Sequence, residues 1–198
     1  DMMELDLLVG SGGVLSHAPR REQSARMLID SFLPEGITQL AVDSIFMMPQ
    51  LGVMANIEKE ELAEDARTAA LEVFEKDCLI RLGTCIAPSG DAKQNSTVLT
   101  AQLTMPDGNT ESHTIQFGDL VMIEAPYEPI KAKLTPGKGM DIGAGKNEII
   151  ESTIYGGVVG IIFDGRGRPL NISTDSEQRI SDLSKWSKAL NEYPKLKV

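Results

Sequence analysis

The sequence predicts an α+β fold: an N-terminal α/β segment, then a mainly antiparallel β domain, then a C-terminal helix. Three observations carry this. Up to about residue 76, apolar strand-like runs alternate with stretches of helical spacing. Beyond that point, short runs of alternating apolar residues replace them. The chain then closes on one amphipathic stretch that holds the single tryptophan, Trp186. The expected divisions are 1–76, 77–172 and 173–198, with the last helix packing back on the fold.

In chain order, Leu5 to Val9 reads as a short strand that runs into the turn Gly10-Ser11-Gly12-Gly13. Arg20 to Leu33 reads as a helix with Ala25, Leu28, Ile29 and Phe32 on one stripe, stopped by Pro34 and Gly36. Ile37 to Val42 is a second strand. Pro49 suits the first turn of a helix running through Leu51, Val53 and Met54. Glu58 to Phe74 reads as the longest helix, with Leu62, Ala66, Ala69, Ala70 and Val73 inside. Strands are expected over Leu79–Ile86, Val98–Met105, Thr110–Phe117, Leu120–Ala125 and Ile130–Thr135, forming an antiparallel sheet, sandwich or partly closed barrel. Pro106-Asp107-Gly108-Asn109 has hairpin-turn chemistry. Ala87 to Ser96 is a polar loop, and Glu148 to Asp164 gives two strands broken at Gly156-Gly157. The closing helix, Ser176 to Asn191, aligns Ile180, Leu183, Trp186 and Leu190 on one face.

Composition narrows the function classes. At 41% hydrophobic the 198 residues can bury a core, and a formal net charge of −10 disfavours a nucleic-acid or anionic-membrane surface. Cys78 and Cys85 match no common zinc spacing and read as buried or semi-buried free thiols, as suits a reducing, cytoplasmic setting. No run is long enough to span a bilayer, and acidic residues precede the first apolar run, unlike a signal peptide. No catalytic triad, carboxylate pair or metal cluster stands out around the two histidines, His17 and His113.

The strongest candidate site is Gly10-Ser11-Gly12-Gly13 with Ser16. Glycines that end a strand let backbone approach a nucleotide closely; they also allow strand and helix to pack closely, and both readings fit. His17, Arg20 and Arg21 follow. Two arginines at a helix start oppose the helix dipole, which a solvated surface tolerates and an anionic ligand or partner would explain. Asp43-Ser44 ends the second strand, either as a cap for the next helix or at a ligand-binding edge. Gly52 inside a helix suggests close helix–helix contact. Gly137 to Lys146 fails as a phosphate loop, because Met140 and Asn147 stand where a glycine and a hydroxyl residue are needed. Asp164 can pair with Arg166 or Arg168, or the two guanidinium groups can face an anion or partner.

Several stretches resemble a known family. VGSGGVLSHAPRR, LAVDSIFMMPQLGVMA, DIGAGK, YGGVVGIIFDGRGRPL and the closing W-x-x-AL-x-x-YP are similar to the MutL/GlmL proteins encoded with coenzyme-B12-dependent glutamate mutase. The glycine turn followed by Leu51-Gly52-Val53-Met54-Ala55 resembles the second half of the actin/sugar-kinase/heat-shock ATPase fold. The resemblance implies a C-terminal portion of an ATP-dependent reactivating or chaperone-like factor for an adenosylcobalamin-dependent mutase. It places Gly10, Ser11, Gly12, Gly13 and Ser16 against the nucleotide and Gly52 in a hinge helix between lobes. ATP or ADP with Mg is the implied cofactor of the whole protein. The chain alone, without the lobe that bears the phosphate loops, is expected to hydrolyse ATP weakly and to hold no nucleotide tightly. A mutase subunit is the implied partner, with no nucleic acid and no membrane. Two alternatives are a non-catalytic module docking a mutase subunit and a fragment of a small-molecule kinase or hydantoinase-like enzyme.

Overall fold

Strand and helix spacing in the first part of the chain produces a β–α–β unit. The computed structural model describes residues 2–56 and 63–192. Strand β1 (Leu7–Gly10) leads through the one-turn helix α1 (Gly13–Ser16) to α2 (Arg21–Phe32) and then to β2 (Gly36–Asp43), which pairs parallel to β1. Helix α2 buries Ala25, Leu28 and Ile29 on the sheet. Each fully buried leucine or isoleucine contributes about 1.5–3 kcal/mol. The fourth residue of the expected stripe, Phe32, is exposed. It sits in the last turn, beside Leu33, whose left-handed φ of 47° ends the helix.

Helix α3 (Met48–Ala55) begins at the expected Pro49 turn, and α4 spans Ala63–Val73. The expected longer helix from Glu58, including its buried Leu62, lies partly outside the described residues. Of its remaining inward positions, Ala66 and Ala70 are buried, whereas Val73 is exposed. The chain then passes through a π-helical turn, Phe74–Cys78, into β3 (Leu79–Ala87).

The remaining strands are β4 (Thr97–Thr104), β5 (Thr110–Gln116), β6 (Leu120–Ile123), β7 (Pro129–Pro136), β8 (Ile150–Tyr155) and β9 (Gly160–Asp164). They divide between two packed sheets, the sandwich among the arrangements expected from the sequence. The first sheet has the order β1-β2-β3-β9-β6 and the second the order β5-β4-β7-β8. The first therefore takes strands from both sides of the expected 76/77 division. Its joint is β2 against β3, antiparallel from Gly36↔Ala87 to Asp43↔Leu79. The turn between β4 and β5 is the expected one, with Gly108 and Met105 bonded across it and Asp107 bonding Asn109.

Three layers result. Helices α2 and α5 (Ser176–Ala189) cover one face of the first sheet, over Leu40, Val42, Cys85 and Ile162, with Trp186 of α5 in the same cluster. The second sheet packs on its other face through Ile86, Phe163, Leu99, Leu103, Ile130 and Leu134. Thr84 Oγ1 donates to the Tyr155 carbonyl at 2.7 Å and links the two sheets directly. Both cysteines are free and buried. Cys85 lies on the helix-covered face, where burial, with the nearby Asp164, pushes its thiol up to about 12. In α5, Trp186 and the following Leu190 are buried, while Ile180 and Leu183 are exposed. Only the C-terminal half of that helix meets the fold. No described helix is long and apolar enough to cross a membrane.

Candidate functional site

Because β1 and β2 are parallel, their carboxyl ends lie side by side, and the glycine turn after β1 faces Asp43 at the end of β2. This is the edge of an α/β unit where ligands commonly bind. The four turn residues are not equivalent. A Cβ on Gly10 would lie 2.8 Å from Leu15 Cδ1 and 2.9 Å from Leu28 Cδ2, so Gly10 is a packing glycine. Gly12 has a φ of +110°, which excludes side chains by backbone conformation, yet a Cβ there meets nothing within 4 Å. Gly13 also meets nothing within 4 Å and has no such backbone restriction. The packing and ligand readings of the turn thus divide by residue: Gly10 packs, while Gly12 and Gly13 present open backbone.

Asp43 joins the turn to the next helix. It is fully buried. Its Oδ1 accepts from the Met47 N–H at 3.1 Å, and its Oδ2 from the Met48 N–H at 2.9 Å. The same Oδ2 accepts from Ser11 Oγ at 3.2 Å. The capping role foreseen for Asp43 is therefore present, with an added tie to the glycine turn. Burial opposes the carboxylate charge, but the N–H groups of Met48 and Met47, the Ser11 hydroxyl and the Ile45 N–H outweigh it, and the pKa falls below the usual value.

Other expected contacts are redirected. Ser16 is buried and donates to the Asp43 carbonyl, so its hydroxyl holds the turn. Arg21 Nη1 donates to the Ser16 carbonyl at 2.8 Å, and Arg20 Nη1 reaches the Asn191 carbonyl at 3.3 Å. Arg21 thus ties α2 to α1, and Arg20 ties it to the backbone just after α5. His17 is exposed beyond α1. Gly52 lies in α3, but a Cβ there would meet nothing within 4 Å among the described residues, so close packing against them does not explain it.

Arg166 and Arg168 are not presented to a partner. Their side chains are buried around Asp164: Arg166 Nε and Nη2 and Arg168 Nη2 each donate to it at 2.8 Å. Arg166 also pairs with Asp30 at 2.8 Å, and Arg168 Nε donates to the Pro34 carbonyl at 2.9 Å. Two buried cations need fixed acceptors, and Asp164 in the turn supplies them together with Asp30 and the Pro34 carbonyl from outside it. Gly137 to Lys146 is likewise bonded into the fold: Asp141 accepts from the N–H groups of Gly143 and Gly145, and its backbone pairs with Ser89. No group of metal-ligating side chains occurs among the described residues.

Sequence reasoning missed the surface beside the turn. Ile45, Phe46, Met48, Val53 and Met54 are exposed, and α3 buries no residue. The hydropathy of this run signals burial; the structure instead leaves these side chains exposed beside the turn.

A family model described as MutL protein matches residues 1–78, the segment that contains the glycine turn, Asp43 and α3. The match supports the MutL/GlmL resemblance drawn from the sequence motifs. No curated protein and no solved structure matches the chain. The MutL segment ends where β3 begins, so it includes the β1–β2 edge but not the second sheet.

Proposed function

We propose that the chain supplies the nucleotide-facing turn of an ATP-dependent reactivating or chaperone-like factor for an adenosylcobalamin-dependent mutase of the glutamate mutase type. The supporting observation is the open backbone of Gly12 and Gly13 at the carboxyl edge of two parallel strands, within the segment that matches the MutL family. A nucleoside can approach such backbone because no side chain stands in the way. ATP or ADP with Mg is the ligand on this reading, and a mutase subunit the partner. Among the described residues no metal-ligating cluster is present, so hydrolysis would draw on groups outside this site.

The test compares two glycines that differ in surroundings. Gly13→Val adds a side chain into open space and is expected to leave the melting curve within about 0.5 kcal/mol of the parent, as at ordinary surface positions, while nucleotide affinity falls. Gly10→Ala is expected to lose about 1–3 kcal/mol of stability through overpacking against Leu15 and Leu28. Equal ADP affinity in the parent and Gly13→Val proteins, measured by calorimetry on the intact protein, removes the assignment.

The docking-module reading has its own support in the exposed apolar run Ile45 to Met54. It predicts that substitutions in α3 weaken mutase capture and leave ADP binding unchanged.

A further inference from the structure

Phe46 has a left-handed backbone, φ 60°, and is 48% exposed. Bulky residues avoid that region because the side chain crowds its own backbone, so a fold that keeps one there holds it from outside. Here the hold is visible. Asp43 anchors the chain before Phe46, and its two carboxylate oxygens accept the N–H groups of Met47 and Met48 just after it. The oxygen that takes Met48 also takes Ser11 Oγ, so the bend carrying Phe46 and the glycine turn share one buried carboxylate. A half-exposed aromatic thus rises from a backbone tied, through Asp43, to the glycine turn.

We infer that Phe46 is the stacking surface for the base of a nucleotide whose ribose lies against Gly12 and Gly13. This rests on the nucleotide reading above and adds to it the residue that holds the base. An aromatic ring offers a face to any base, and the bonds to Asp43 hold the backbone that carries this one. The glycines cannot supply that contact, since they have no side chain, and Ser11 is occupied by Asp43.

The experiment measures ADP binding by the intact protein and its Phe46→Ala, Phe46→Leu and Phe46→Tyr variants, with circular dichroism and melting curves on each. Leucine fills similar space without a π face; tyrosine keeps the face. The expected result is affinity about tenfold or more weaker for alanine and leucine, the scale of one lost base stack, and near-parent affinity for tyrosine. Parent-like affinity in folded Phe46→Ala or Phe46→Leu overturns the inference and leaves the glycine turn standing. So does a loss in folded Phe46→Tyr as large as in the leucine variant. No ADP binding by the parent protein overturns the nucleotide reading itself, and the inference with it.

Discussion

Asp164, at the end of β9, accepts hydrogen bonds from Arg166 and Arg168 with no exposure to solvent. Burial alone would raise its pKa, but the Arg166 and Arg168 guanidinium groups hold it at about 2, below the ordinary 3.8. A carboxylate with a lowered folded pKa contributes stability above its unfolded pKa and loses it as pH falls through the folded value. The contribution is on the order of 2 kcal/mol, present at neutral pH and lost between about pH 4 and pH 2. Asp43 adds a term of the same sign, so the parent protein alone cannot isolate Asp164. Asp164→Asn can. It should cost about 3–5 kcal/mol at pH 7, because two buried arginines lose their charged partner. It should also flatten the acid limb of the stability curve. Urea midpoints of both proteins at pH 7 and pH 2.5 check this; parallel curves would show that Asp164 carries no such linkage. The sequence made the Asp164–Arg166–Arg168 pairing readable as one of two options, since a compact Asp-Gly-Arg-Gly-Arg turn can bond to itself. It could not choose, because the choice depends on Asp30 and Pro34, brought from far along the chain.

Helix α5 shows what a hydrophobic stripe does and does not specify. The spacing of Ile180, Leu183, Trp186 and Leu190 correctly defines one helical face. It says nothing of how far along that face a neighbour extends. In the structure the anchor is at one end: Trp186 Nε1 donates to the Gly118 carbonyl at 2.9 Å, and Lys185 pairs with Asp119 at 2.8 Å. The indole also lies 5.1 Å from the Arg166 guanidinium and 5.8 Å from that of Arg26. Trp186→Ala should therefore cost about 3–5 kcal/mol, whereas Ile180→Ala should fall within about 0.5 kcal/mol of the parent. As the single tryptophan, Trp186 reports its own site, and its emission should be blue-shifted and protected from iodide. Red-shifted, fully quenched emission would mean that the helix does not dock. The glycine turn is the parallel case at the other end of the chain. Its position after an apolar strand was legible. Its division into one packing glycine and two open ones was not, because Leu28, which crowds Gly10, belongs to the next helix.

At the scale of the whole molecule, the change of pattern near residue 77 was legible as a change from mixed to β structure, but not as pairing. Periodicity along a strand gives its faces and not its neighbours. The neighbours turn out to be shared: β2 and β3 exchange a full antiparallel ladder across that point, and β9 returns parallel to β3 from Gly83↔Gly160 to Ile86↔Phe163. Ile86 and Phe163 then enter the same apolar layer as Leu99, Leu103, Ile130 and Leu134 of the second sheet. Opening either sheet exposes the other's buried face, so the two should unfold as one cooperative unit. Native-state hydrogen exchange can read this at chosen amides. Ala41 and Cys85 sample the first sheet, and Ala101 and Leu134 the second; all four are buried strand residues. Their opening free energies should agree within about 1 kcal/mol and follow global stability in denaturant. A second-sheet value several kcal/mol lower, insensitive to Trp186→Ala, would instead mean that the layer beyond the first sheet opens alone.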